Sequence, residues 1–236
     1  MTPSTQTKIL LEIAVASLER AIAAQRAGAH RLELCSKLEL GGLTPAINLV
    51  RQVRQAVQLP IHVMVRPRAG NFVYTADEFA QMKSDITALR QENIQGIVTG
   101  ILLPDSSIDI AHTRELVSLS SPLEGTFHRA FDEVPDPFRA LEGVIETGAT
   151  RILTSGGAPS TPEGVATLRK LIQQAGGRVT MLPGGGIYAG NIAALVRATG
   201  AREIHTGLST VIPYTSPDTQ AFEAAIRASL ANLPHS

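Results

Sequence analysis

The chain has 236 residues, with Lys plus Arg and Asp plus Glu both totalling 21, so the formal net charge is zero. That balance argues against a nucleic-acid binder, which carries a basic excess or stripe, and against electrostatic attachment to a membrane. The single cysteine, Cys35, excludes an intrachain disulfide and a paired-thiolate zinc site. No run approaches the roughly 18 apolar residues of a membrane span. The polar segment from Met1 to Lys8 lacks the apolar stretch of a secretory signal, so a cytoplasmic protein is expected.

Short runs rich in Ile, Val and Leu alternate with helical patterns along the chain. Strands are predicted at Ile9–Ala14, Arg31–Cys35, Ile61–Arg66, Gly96–Gly100, Gly125–Arg129, Arg151–Ser155, Val179–Pro183 and Glu203–Thr206. Eight strands, each followed by a helix, imply parallel pairing with crossover connections. Such regularity favours a closed (β/α)8 TIM barrel, here a single domain over residues 1–236, with a loose tail at 233–236.

Helix boundaries are marked by chemistry. Thr44-Pro45, Asp136-Pro137 and Thr161-Pro162 each place a capping side chain before a proline. Thr75 and Glu78 have capping-box spacing, and Phe79, Met82, Ile86 and Leu89 then fall on one helical face. Gly28, Gly148 and Gly200 precede strands and suit left-handed helix ends.

Strands of a parallel barrel are buried on both faces and are normally apolar. Several here carry polar groups on one alternating face: Glu12, then Glu33 and Cys35, then His62, Met64 and Arg66, then Thr126 and His128, then Glu203 and His205. A buried charge persists when it is paired or used. Glu33 and Glu203, early in their strands, fit either an ion pair near the closed end or a functional role. His62 fits either a satisfied core histidine or a ligand. Glu12, Arg66, His128 and His205 are expected to open onto one rim, the active-site end of a barrel. Glycine turns at Gly156-Gly157 and Gly184-Gly185-Gly186 offer amides for an anion, with Arg66, Arg68 or Arg129 adding charge.

Two functions fit these residues. One is an enzyme acting on a small phosphorylated or carboxylated metabolite, with Glu12 and His128 as acid and base. The other is a metal site in which Cys35 and Met64 offer sulfur and His62, His128 or His205 could complete the set.

Longer motifs carry a resemblance. Glu33-Leu34-Cys35 with Gly41-Gly42-Leu43-Thr44-Pro45, His62 through Arg68, Thr126 through Asp132, Ile152 through Gly156, and Pro183 through Gly186 together resemble the CutC family, named for copper homeostasis. The resemblance implies a cytosolic barrel that self-associates as a dimer or tetramer and has a role with copper. It also implies a polar pocket drawn from Glu12, Glu33, His62, Arg66, His128, Arg129 and Asp132. Ala14 stands where the family commonly has a cysteine, and Ala16 where an aspartate is usual. A chain with Cys35 as its only thiol should therefore bind copper(I) more weakly than a two-cysteine relative.

Overall fold

The computed structural model describes residues 9–234. The polar segment 1–8 and the last two residues of the expected tail lie outside them. The first half of the chain runs β1 (Leu10–Val15), α1 (Leu18–Ala27), β2 (Arg31–Leu34), α2 (Ile47–Ala56), β3 (Ile61–Met64), α3 (Ala76–Leu89), β4 (Gly96–Thr99) and α4 (Ile110–Ser120). The second runs β5 (Glu124–Phe127), α5 (Pro137–Glu146), β6 (Arg151–Thr154), α6 (Thr161–Ala175), β7 (Thr180–Pro183), α7 (Ile192–Thr199), β8 (Glu203–Thr206) and α8 (Thr219–Ala231). All eight strands are parallel, in the order β7-β6-β5-β4-β3-β2-β1-β8, and a further bridge between Gly184 and His205 joins the two ends. The sheet is thus a barrel with its helices outside, as the sequence predicts.

The alternating pattern decides which side chains face where. Leu11, Ile13, Val15, Leu32, Leu34, Val63, Val65, Ile97 and Ile204 are fully buried in the layer between strands and helices. Their neighbours in sequence point into the barrel, where Glu12, Arg31, Glu33 and His62 are all buried. Met82, Ile86 and Leu89 of α3 are buried, with Phe79 packed beside them. The Thr75–Glu78 capping box forms as its spacing predicts.

Two of the expected caps are corrected. Asp136 does cap α5. Thr44, however, lies three residues before α2, and its hydroxyl takes the amide of Arg66 at 2.9 Å and donates to the Arg66 carbonyl at 3.1 Å. It fastens the β2–α2 connection to the end of β3 instead of capping a helix. Thr161 is the first residue of α6, not its cap.

The lower interior is held by charge. Arg31 binds Glu12 on one side and Glu203 on the other, the latter at 2.6 Å. Arg151 bridges Glu203 at 2.9 Å and Glu124 at 2.5 Å, and His62 stands 3.4 Å from Glu124. The ion-pair reading of Glu203 is the one the structure bears out. Ions inside a barrel are tolerated only when opposite charges offset their lost hydration. Arg31→Met is therefore expected to lower unfolding stability by about 3–5 kcal/mol, the range for stranding a buried charge. Adding Glu12→Gln to it should recover part of the loss. Urea denaturation checks this, and an Arg31→Met barrel as stable as the wild type would contradict it.

Candidate functional site

A pocket of about 390 Å³ opens at the carboxyl ends of the strands. That volume suits a small organic molecule. Its lining includes Glu33, Met64, Arg66, His128, Arg129, Asp132 and His205, together with Gly185 and Gly186. The structure therefore brings most of the expected residues together. Glu12 and His62 are exceptions. Both are buried in the interior and absent from the lining, and His62 turns toward Glu124. Glu12 occupies the middle of β1, one alternation below the pocket-lining Ala14, so it does not open onto the rim as the sequence suggested.

Glu12 acts on the pocket indirectly. One carboxylate oxygen binds Arg31, and the other lies 2.7 Å from Nδ1 of His205. Burial works to raise the Glu12 pKa, yet the Arg31 charge and the His205 hydrogen bond outweigh it and hold the group well below the usual carboxylate range. Glu12 is consequently an acceptor, and the proton on that bond belongs to Nδ1. The other ring nitrogen, Nε2, is left 3.8 Å from Glu33.

Glu33 and His205 titrate as neighbours. Burial, and then the negative charge of Glu12, push Glu33 up to about 7 despite the opposing pull of His205. Burial lowers the pKa of His205, but the Glu33 charge and the Glu12 hydrogen bond raise it overall. One oxygen of Glu33, Oε1, is buried with no hydrogen-bond partner among the described residues. A carboxylate and an imidazole with shifted pKa values, side by side in a pocket, mark a place for proton transfer.

The facing wall is cationic. Arg66 is buried, and its Nη atoms donate to the carbonyls of Leu40, Gly42 and Gly70 at 3.1, 3.2 and 2.8 Å. Its Nε has no partner, and no ion pair among the described residues includes it. The guanidinium stacks over Phe72 at 4.7 Å, and the His128 ring lies 4.8 Å from the same phenyl ring. Nδ1 of His128 accepts the amide of Ala130 at 3.2 Å, which leaves the hydrogen on Nε2, and that atom too is buried without a partner. Burial first, and then the adjacent Arg66 charge, push the His128 pKa down to about 3. His128 is thus neutral, with its hydrogen on Nε2.

The glycine turns also differ from expectation. The amide of Gly157 donates to Asp132 Oδ1 at 3.1 Å, and the amide of Ser155 reaches both Asp132 oxygens at 3.0 and 3.1 Å. Gly156 donates to Thr154 Oγ1, and Gly184 donates to the Thr154 carbonyl. The Gly156-Gly157 cradle therefore already holds an anion, the chain's own Asp132, which also pairs with Arg129 at 2.7 Å. Gly185 and Gly186 do line the pocket, and both hold positive φ, 108° and 74°. The Arg129 guanidinium comes within 3.3 Å of the place where a Cβ on Gly185 would sit. The positive φ of Gly185, which side chains rarely adopt, is what favours glycine there.

Cys35 is buried in an apolar cluster with Ala14, Leu38, Met64 and Val98, outside the pocket lining. Burial, reinforced by Glu33 and Glu12, pushes its thiol pKa well up. Among the described residues the one group with metal-ligand spacing is Glu12, Glu33 and His205, whose ligand atoms lie within 4.8 Å of one another. Of the expected set, Cys35 and Met64 pack together in the apolar cluster, whereas His62 turns toward Glu124. Sequence reasoning saw His205 on the rim but missed its pairing with Glu12. The matched offsets of Glu12 and His205 in adjacent strands appear only once β8 is known to pair with β1.

Fold and pocket define a (β/α)8 barrel with a polar pocket at the carboxyl ends of its strands. Comparison with known proteins is more specific. The model of the CutC family matches residues 9–210, and this chain belongs to that family. It is 46% identical over 196 residues to a CutC family protein of Chromobacterium violaceum, covering 83% of this chain and 79% of the relative. It is 44% identical over 196 residues to a human protein named copper homeostasis protein cutC homolog, covering 83% of this chain and 72% of the relative. Among solved structures, CutC of Streptococcus agalactiae superposes with a TM-score of 0.81 at 30% identity, over 84% of this chain and 98% of that one. Thiamine phosphate pyrophosphorylase from Pyrococcus furiosus, at 14% identity and a TM-score of 0.64 over 97% of each chain, shares the fold.

The depressed pKa of His128 has a signed consequence. A histidine whose folded value lies below its unfolded one contributes stability that is complete above about pH 6.5 and is lost as pH falls toward about 3. His128→Gln is expected to flatten the stability curve within that window. Unfolding free energies measured across it provide the check, and an unchanged slope in the variant would contradict the assignment.

Proposed function

We propose that this chain binds a small organic anion in its barrel pocket and transfers a proton on it. The observation that carries this reading is Arg66, a buried guanidinium on the pocket wall with no ion-pair partner among the described residues and an unsatisfied Nε. A cation shielded from water is costly unless an anion compensates it, and a carboxylate or phosphate would supply that charge. Arg129, already paired with Asp132, contributes less free charge. In the same pocket, Glu33, pushed up to about 7, and His205, whose pKa is raised, provide proton-transfer groups, with Glu12 orienting the imidazole. Among the described residues no lysine or cysteine lines the pocket, so the reading involves no Schiff base or thiolate nucleophile.

A second reading, copper binding, draws on the names of the human and mouse relatives and on the Glu12, Glu33 and His205 group. The residues do not fit copper(I). Its preferred thiolate is represented by one buried cysteine whose proton is held tightly, Ala14 offers no second thiol, and the neighbouring Met64 adds only a neutral thioether. The oxygen and nitrogen atoms that do converge are harder ligands, and Glu12 is already engaged by Arg31 and His205. In an anaerobic competition with a copper(I) chelator, wild type and Cys35→Ser are expected to behave alike. A clear loss of affinity in Cys35→Ser would restore the thiolate reading.

The anion reading is tested by a thermal-shift screen of phosphorylated and carboxylated metabolites. A ligand present at about 100 times its Kd adds about 2.7 kcal/mol. For a chain of this size that raises Tm by roughly 5–10 °C. The shift is expected to disappear in Arg66→Met. If no such metabolite shifts the wild type, or if the shift survives in Arg66→Met, the reading fails.

A further inference from the structure

The two walls of the pocket carry complementary halves of one reaction. On one side His128 presents an imidazole whose hydrogen is fixed on Nε2 by the Ala130 amide bound at Nδ1, and no protein atom accepts that hydrogen. On the other, Glu33 keeps one oxygen, Oε1, free of any hydrogen bond while its second oxygen stands 3.8 Å from His205 Nε2. Arg66 and His128 both pack against the Phe72 ring, at 4.7 and 4.8 Å. An unfilled neutral donor, an unfilled carboxylate oxygen and an uncompensated cation call for a ligand with three matching features: an acceptor oxygen, a proton to surrender and an anionic group.

A carbonyl compound bearing a carboxylate or phosphate has all three. We propose that the pocket removes and returns the hydrogen on the carbon next to such a carbonyl, with Glu33 as the base, His128 as the donor to the carbonyl oxygen, and Arg66 facing the anionic group. In the forward step the carbon–hydrogen bond breaks and its proton passes to a Glu33 oxygen. The electron pair moves into the carbon–carbon bond, and the carbonyl oxygen becomes an enolate held by the His128 Nε2–H. In the return step Glu33 gives a proton back to carbon and the carbonyl re-forms. No oxidant, reductant or leaving group is needed.

Local chemistry supports each role. A base acts best when its pKa is near the working pH, and burial beside Glu12 moves Glu33 there. A neutral imidazole suits an enolate better than an imidazolium would, because it stabilises the developing charge without first protonating the carbonyl. A known isomerase pairs a carboxylate base with a neutral histidine in this way. Here burial, and then the Arg66 charge, oppose a second cation at His128, so the donor stays neutral. His205, oriented by Glu12, is the positioning residue behind Glu33 and a second place for the proton.

This proposal rests on the anion reading above, and one experiment separates the two. Wild-type protein in D2O is mixed with a panel of 2-oxo acids and phosphorylated ketones and aldehydes. Binding is read by thermal shift, and loss of the proton signal next to the carbonyl is read by NMR. The expected result is that at least one compound both binds and exchanges above its spontaneous rate. Exchange should fall about 100-fold or more in Glu33→Gln and in His128→Phe while binding persists, the size expected for a general acid or base. His128→Gln, which keeps a donor, should retain part of the rate. The alcohol analogue of the same compound should bind to wild type without exchanging, because without a carbonyl the neighbouring carbon–hydrogen bond is not acidic. Binding without exchange in wild type would overturn the proposal and leave the anion reading intact. Exchange unchanged in Glu33→Gln would overturn the role of Glu33. If no compound in the panel binds, both readings fail together.

Discussion

Arg31 is the residue on which the arrangement depends. Its guanidinium lies inside the barrel between Glu12 of β1 and Glu203 of β8, the two strands that bring the ends of the chain together. Removing its charge would leave two carboxylates facing each other in an interior that offers little water to either. Its effect also travels upward. Because Arg31 keeps Glu12 ionised, Glu12 accepts the hydrogen of His205 Nδ1, and that single bond decides which nitrogen of His205 remains for the pocket. The Glu12 charge in turn helps push Glu33 toward neutrality.

Barrel interiors are usually filled with layers of branched apolar side chains. This one replaces the lower layers with an ionic lattice of Arg31, Arg151, Glu203, Glu124, Glu12 and His62, and restores apolar packing at Ala14, Cys35, Met64 and Val98. The pocket is therefore seated on a floor whose charges are mutually satisfied. Groups lacking partners, such as Arg66 Nε, His128 Nε2 and Glu33 Oε1, belong to residues of the pocket lining. Unsatisfied polar atoms are costly, and a carboxylate, a guanidinium and an imidazole that each keep one around a single cavity are the physical reason for assigning it a ligand. Cys35, by contrast, behaves as a small hydrophobe.

Much of the fold was legible because its signals are local. The alternation of apolar runs and helical patterns, the Thr75–Glu78 capping box and the Asp136-Pro137 start all act within a few residues. Thr44 misled because its hydroxyl bonds across 22 positions to Arg66, a contact no local pattern encodes. The site was legible as a set of residues and not as a mechanism. Polar groups on alternating strand positions announced Glu33, His128 and His205. Their protonation depends on partners from other strands, Glu12 for His205 and Arg66 for His128, and on burial that a linear reading cannot weigh. The Gly156-Gly157 turn looked open in sequence because Asp132, which fills it, arrives from the end of the preceding strand unit.

The central claim is that the pocket is built for an organic anion bearing a carbonyl, and not around a copper–thiolate centre. The most direct test is a crystal structure of the protein exposed anaerobically to both copper(I) and a tightly binding 2-oxo acid, with anomalous data collected at the copper edge. The account expects density for the acid with its anionic group at Arg66 and its carbonyl oxygen at His128 Nε2, and no anomalous peak at Cys35. A copper peak within bonding distance of the Cys35 sulfur, with the pocket free of organic density, would contradict it.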